Sequence, residues 1–429
     1  MSYSKFKLLT WVGGFSSLIM IIGVLIRLIG YPNQLLFFIP GLLLFSVIFI
    51  PAKTTKEFRL ISGRWRKFGL ILAALCSVGL LVIAPMVIMQ PSQPIVFLFV
   101  LFAAVLAFNI FYVKRKELLQ FDLILAFGIF CSLLNAPIKP QAPNKLYEPR
   151  IDNPAYPNGD GPTVYLDEAH YNFHKLDGLY WGFGEVLRED GYQTASFRNE
   201  FSTGTLAGKK ILAIANALNK KNESRWINPT YSAFTPDEQA AIEQWVKDGG
   251  SLFLIADHMP TSGAAADLAS KFGIEFINGF AMDTIDRTDW FIRNDSTLRN
   301  NIITNGWSNE ENVDSVITFT GQAFKIPEGA NPILVFNEKY VQWEPDTAWQ
   351  FENVKPYNVE GYAQGVYMTY GKGKVVAFGE AMMFTSQLGW GLSFIKLGLS
   401  DPKAKNNQQL LLNIIHWLDI DYIKGSDRH

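Results

Sequence analysis

Apolar residues are distributed along this chain in two regimes. Up to residue 134 they form long unbroken runs, at 8–30, 35–50, 68–89, 95–113 and 118–134. A hydrocarbon core needs about 20 such residues per helix, so these runs predict an N-terminal α-helical membrane bundle of about five transmembrane helices over residues 1–135. The loops agree with that reading. Lys53, Lys56, Arg59, Arg64, Arg66 and Lys67 lie between the second and third runs, and Lys114, Arg115 and Lys116 between the fourth and fifth. The excess of positive residues predicts a cytoplasmic N-terminus and, if the fifth run crosses despite Gln120 and Asp122, an extracytoplasmic C-terminal half. The expected location is an integral protein of the plasma membrane, with the lipid bilayer as its first partner.

Residues 136–162 are rich in Pro and Asn and read as a semi-extended linker. From residue 163 to 422 the pattern changes to short apolar runs separated by amphipathic stretches. TVYLDE, YQTASF, KKILAIANAL and SLFLIAD read as strands, with helices over 181–190 and 236–247 between them. Leu252 to Ala256 is apolar without alternation, the signature of a strand covered on both faces. Strand–helix alternation of this kind predicts an α/β, doubly wound parallel sheet. Thr235, Pro236 and Glu238 form a capping-box start, and Gly249-Gly250 ends that helix. Residues 277–312 are polar and Asn-rich and read as an insertion or lid. VITFTG, PILVFN, GVYMTY and KVVAFGE then supply further strands. A last helix over 406–418 carries a core-facing stripe at Leu410, Leu411, Ile414, Ile415 and Leu418.

Composition narrows the function classes. The net charge of −1 and the lack of a basic, aromatic-interleaved patch in the second half of the chain argue against a nucleic-acid partner. The two cysteines, Cys76 and Cys131, both lie in the N-terminal apolar runs. The α/β domain therefore has no disulfide framework, thiolate zinc site or cysteine nucleophile.

Ligands of doubly wound sheets bind beyond the carboxyl ends of the strands. The chemistry-bearing residues collect there. The first strand runs out into Asp167, Glu168, His170, Asn172 and His174; Asn216 closes the third, Asp257 and His258 the fourth, and Glu380 the last. Glu168, Asp257, His258 and Glu380 are the candidate acid/base groups. His170 and His174 are the candidate ligands of a divalent metal ion held by O and N donors. Ser262 can cap the helix after Asp257, and Gly263 leaves room for a ligand at its first turn. With Asp167, Asn172, Asn216, Gln322 and Gln387 they make up the candidate ligand-binding set. His416, beside Trp417, reads as structural.

Several segments together resemble a known family: VYLDEAHYNFH, ILAIANAL, FTPDEQAAIEQWVKDGGSLFLIADHMPTSGAAADLASKFGIEF, FTGQAF, AQGVYMTYGKGKVVAFGEAMMFTSQ and NNQQLLLNIIHWL. They are similar to bacterial membrane proteins bearing a class I glutamine amidotransferase-like domain, over residues 163–420. The resemblance implies a flavodoxin-like topology. Active amidotransferases carry a cysteine nucleophile at the turn that corresponds here to Asp257 and His258, so the resemblance also implies that glutaminase chemistry is lost. Two function classes stay open. One is a metal-assisted hydrolase acting on a carbohydrate or similar polar substrate. The other is a non-catalytic binding or assembly module attached to a transporter or envelope complex.

Overall fold

The computed structural model describes residues 11–22, 40–60, 64, 67, 71, 141–284, 289–389 and 395–419. The chain divides into two compact units, one formed by residues 1–140 with 390–394, the other by the rest.

In the first unit the described residues include helical segments over 11–22 and 40–60. The second contains a π-helical stretch, Leu44–Phe49, continued by an α-helix, Ile50–Leu60. Among the described residues no helix is long and apolar enough to cross a membrane. This corrects the expected transmembrane bundle, and with it the integral-membrane location. The physical reason is visible at 50–60. The helix runs on through Lys53, Thr54, Lys56, Glu57 and Arg59, so the apolar run covers only part of the helix that carries it. The runs at 68–89, 95–113 and 118–134 lie outside the described residues.

The second unit holds the α/β domain. A short strand β1 (Gln141–Pro143) precedes β2 (Thr163–Asp167), β3 (Gln193–Phe197), β4 (Ile211–Ala215) and β5 (Ser251–Ile255). Helices Trp181–Glu189 and Pro236–Lys247 form two of the crossovers, and helix Thr261–Ser270 follows β5. Next come β6 (Glu275–Phe276), β7 (Phe280–Asp283), β8 (Asp289–Ile292), β9 (Ser315–Thr318), β10 (Phe324–Lys325), β11 (Asn331–Val335), β12 (Tyr340–Trp343) and β13 (Tyr357–Asn358). The chain closes with β14 (Ala363–Tyr370), β15 (Gly373–Phe378), β16 (Ser386–Gly389), β17 (Ile395–Gly398) and helix Lys405–Leu418.

The main sheet runs β3-β2-β4-β5-β15-β14-β10-β6, with β11 added on β14. Its first five strands are parallel, in an order used by doubly wound folds. From β14 outward the pairing is antiparallel, so the sheet is mixed and the expectation of a purely parallel sheet is corrected. The reason is local. A tight turn at Gly371, at φ +60°, joins β14 directly to β15 where a parallel neighbour would need a crossover.

The unbroken apolar strands are explained by two cores. Phe253 and Ile255 of β5 face one, beneath helices Trp181–Glu189 and Lys405–Leu418. Leu252, Leu254 and Ala256 face the other, beneath helices Pro236–Lys247 and Thr261–Ser270. Phe378 and Ala377 of β15 divide in the same way.

The capping box at Thr235 forms as expected. Its hydroxyl accepts from the Glu238 N–H at 3.3 Å, and Glu238 Oε2 accepts from the Thr235 N–H at 2.9 Å. Thr235→Ala is expected to lower unfolding stability by about 1–2 kcal/mol, read as an earlier urea midpoint at unchanged slope. The next helix does not start as expected. It begins at Thr261 with Pro260 as N-cap and no side-chain cap, and Ser262 is wholly buried inside it.

Candidate functional site

Three strand ends are tied together at the carboxyl edge of the sheet. Asn216, after β4, adopts a left-handed backbone with φ +46°. That turn aims its groups both ways. Its carbonyl accepts from the Phe173 N–H at 3.1 Å, and its side-chain oxygen accepts from the Asp257 N–H at 2.8 Å. The segment after β2, the turn after β4 and the turn after β5 are thus one hydrogen-bonded assembly. A non-glycine residue held at positive φ costs about 1–3 kcal/mol, supplied by the surrounding structure.

Below this assembly lies a polar clamp. The His170 ring is held between carboxylates, Nδ1 2.9 Å from Asp167 Oδ1 and Nε2 2.8 Å from Glu238 Oε1. Asn172 donates to Asp167 at 2.9 Å and to the Ala215 carbonyl at 3.2 Å. Phe201 stacks on the His170 ring at 4.7 Å. Burial pulls the His170 pKa down, but the hydrogen bonds and charges of Asp167 and Glu238 outweigh it and leave the value raised. For Glu238 burial acts upward, yet the Thr235 backbone, His170 and the other donors leave its pKa lowered. The signs fix a window. The His170 contribution is complete below about pH 6.5, the unfolded value, and is lost as pH rises through the folded one. The Glu238 contribution is present above its unfolded value and is lost as pH falls through the folded one. His170→Gln is expected to cost about 2 kcal/mol at pH 6, because two buried carboxylates lose a charged partner. Chemical denaturation at pH 6 and pH 9 should show the cost shrinking at the higher pH.

Both His170 nitrogens are thereby occupied. His174 is buried with its Nδ1 unpartnered, its ring edge-on to Tyr180 at 4.6 Å, and burial pushes its pKa down to about 3. Among the described residues no group of three or more His, Cys, Asp or Glu side chains could hold a metal ion. The donor set therefore does not fit the divalent ion expected from the sequence. Glu168 is also engaged. Its Oε1 accepts from the Leu176 N–H at 3.0 Å, and its Oε2 faces Arg198 at 3.1 Å.

The remaining candidates divide. Gln322 donates to the Ala256 carbonyl at 2.9 Å and accepts from the Ile277 N–H at 2.8 Å, so it laces the end of β5 to the next segment. Gln387 lies in β16 within a separate three-stranded sheet, buried with both amide atoms unpartnered. Asn278 fills the space at Ser262 and Gly263. Its Oδ1 accepts from the Gly263 N–H at 3.2 Å, and a Cβ on Gly263 would meet it at 2.7 Å. The expected ligand approach at that helix start is therefore closed.

Asp257, His258 and Glu380 form the part that stays together. Glu380 is fully buried, accepting from the Met382 and Met383 N–H groups at 2.7 and 2.8 Å. Burial, then the neighbouring Asp257 charge, raise its pKa well above the ordinary carboxylate range. Tyr180, which donates to the Ala381 carbonyl at 3.2 Å, is raised by burial and by both of those charges. The two carboxyl groups thus interact, burial and the Asp257 charge both acting against ionisation of Glu380.

His258 is half-buried, and its Nδ1 lies 2.7 Å from the Met259 carbonyl oxygen. A carbonyl can only accept, so Nδ1 carries the proton and a neutral ring keeps its lone pair on Nε2. The backbone N–H of His258 donates to Asp257 Oδ1 at 2.7 Å. Around the ring stands an aromatic cage: Phe280 stacked at 4.4 Å, Trp349 edge-on at 4.8 Å and Trp226 at 6.0 Å. Trp226 and Trp349 ride on two loops that are zipped together. The Ala348 N–H donates to the Trp226 carbonyl at 2.9 Å, the Asn228 N–H to the Asp346 carbonyl at 2.8 Å, and Ile227 bridges Thr347. The cage residues were not among the sequence candidates. The signal available was a tryptophan set alone in each of two polar loops, ESRWINP and DTAWQ.

Comparison with known proteins adds likeness without a family. No family model matches the chain, and no curated protein matches it. That corrects the family assignment expected from the short motifs, which strand, turn and helix chemistry common to many α/β domains can supply. An IFT52 N-terminal domain superposes with TM-score 0.43 at 12% identity, over 59% of this chain and 96% of that one. A ThuA-like protein from Bacteroides uniformis gives 0.33 at 10%, over 63% and 94%. A beta-galactosidase from Bacillus circulans sp. alkalophilus gives 0.32 at 8%, over 72% and 36%. At these scores the likenesses assign neither a family nor a function.

Proposed function

We propose that the α/β domain binds a carbohydrate or similarly polar, ring-bearing ligand at the ends of β4, β5 and β15 and hydrolyses it with His258 as the acid/base group. The observation that carries this reading is the His258 ring: its tautomer is set by the Met259 carbonyl, and aromatic faces surround it. Sugar rings present apolar C–H faces and a rim of hydroxyls, so aromatic walls beside hydrogen-bonding groups suit them. In the reaction, Nε2 takes a proton from water as the water attacks the scissile centre. The imidazolium then returns that proton to the departing oxygen, so the bond breaks with the site unchanged. Asp257 accepts from the His258 backbone N–H at 2.7 Å and so helps hold the turn that carries the ring.

Binding without turnover is the second reading. It is favoured by the complete burial of Glu380 and the near-complete burial of Asp257, at 8% exposure, which leaves His258 as the most open of the three groups. The test is an assay of the purified full chain against p-nitrophenyl glycosides, acetylated sugars and short oligosaccharides, with binding followed by calorimetry. Turnover abolished by His258→Ala supports the hydrolase. Binding without turnover selects the second reading, and neither binding nor turnover for any sugar overturns both.

A further inference from the structure

Resting on that reading of the site, we propose that it takes a chain of sugar rings rather than a single sugar, with Phe173 and Trp349 stacking successive rings along the aromatic series that passes His258. The aromatic rings form a track. Phe173 stands 5.8 Å from Trp226, Trp226 6.0 Å from His258, and His258 4.8 Å from Trp349. From Trp349 the track continues to Phe351 at 6.3 Å and from there to Trp343 at 5.9 Å.

The two ends of the central part are the exposed ones. Phe173 is 44% exposed and Trp349 52% exposed, whereas Phe280 beneath His258 is fully buried. The two exposed rings are separated in the series by Trp226 and His258, so they offer two distinct stacking faces. Trp349 is also held at φ +66°, a backbone conformation that a bulky residue adopts only where its surroundings impose it. The zipped loops that impose it carry Trp226 as well. The exposed Trp is therefore a fixed platform, with its ordering cost met before any ligand arrives. Acceptors and donors suited to hydroxyl groups lie along the same stretch, in Asp257 and the His258 Nε2.

The experiment is a binding series with cello-oligosaccharides and chito-oligosaccharides of one to six units, followed by calorimetry and Trp fluorescence on the full chain. Affinity is expected to rise at least tenfold from the single sugar to the tetramer in one of the two series. Phe173→Ala should lower tetramer affinity about tenfold while leaving single-sugar affinity unchanged, and Trp349→Ala, which also removes a wall of the cage around His258, should lower tetramer affinity at least as much. Circular dichroism verifies that both variants keep the fold, and Trp349→Phe, which retains a stacking face, should recover most of the loss. If single sugars bind as tightly as tetramers, or if both alanine variants bind the tetramer like the wild type, the extended cleft is overturned while the proposed function stands. If no sugar of any length binds, the proposed function falls first and this inference with it.

Discussion

Wild-type protein is expected to lose about 3 kcal/mol of unfolding stability between pH 7 and pH 4 that a His174→Phe variant does not lose. His174 is buried against Tyr180 and Phe173, with its Nδ1 unpartnered, and burial holds its pKa at about 3. In the unfolded chain the same ring titrates near 6.5. A basic group whose folded pKa is depressed contributes stability that is fully present above the unfolded value. The contribution is lost as pH falls toward the folded one, because the unfolded state then binds a proton that the folded state refuses. At about 1.4 kcal/mol per pH unit the loss is about 3 kcal/mol by pH 4. Phe matches the ring and removes the buried unpaired nitrogen, so at pH 7 the variant should be at least as stable as the wild type. Urea titrations of both proteins at pH 7, 6, 5 and 4 give the comparison. The wild-type minus variant difference isolates His174 from the carboxylates that titrate in the same range. Parallel pH curves would show that the folded protein accommodates a charged His174.

The second large effect is on turnover. His258→Ala is expected to lower kcat on whichever sugar substrate the panel identifies by about 10²–10⁴, the range of a lost acid/base group. The substitution removes Nε2 while leaving the Asp257 backbone anchored by Asn216 and the Phe280 ring buried beneath. Stability should therefore change little. Binding should weaken less than kcat falls, because the cage rings Trp226 and Trp349 remain. The measurement is a kcat and KM split, with thermal denaturation as control. An unchanged kcat would remove His258 from the chemistry. A loss confined to KM would move it to ligand positioning. Asp257→Asn, which keeps the shape, should show a smaller fall in kcat if Asp257 acts by holding the turn that carries His258.

Much of the α/β half can be read from local pattern. The unbroken apolar strands, the Thr235–Glu238 capping box and the apolar stripe of the last helix follow from side-chain periodicity and capping chemistry. These act over a few residues and need no distant partner. The gathering of Asp257, His258 and Glu380 at the ends of adjacent strands is the same kind of information, because strand ends on one sheet share one edge.

Fates that depend on distant partners could not be read that way. His170 and His174 lie four residues apart in a segment that looks metal-binding. Glu238, on a helix 68 positions away, turns one into a clamped ion-pair histidine. Tyr180 helps turn the other into a buried neutral ring. The antiparallel extension of the sheet depends on the tight turn at Gly371, and the closed helix start on Asn278. Among the described N-terminal residues no helix is long and apolar enough to cross a membrane, since an apolar run says what a helix can cover and not where polar residues such as Lys53 and Arg59 continue it.

The sequence by itself determined the parallel strands and crossover helices of the α/β half, and that acid, imidazole and amide groups crowd the strand ends. Only the tertiary structure decided which of those groups are occupied, through hydrogen bonds and burial supplied by residues far along the chain. Only it brought Trp226, Phe280 and Trp349 around His258, because rings from three separate segments become one cage only when backbone pairing sets their loops side by side.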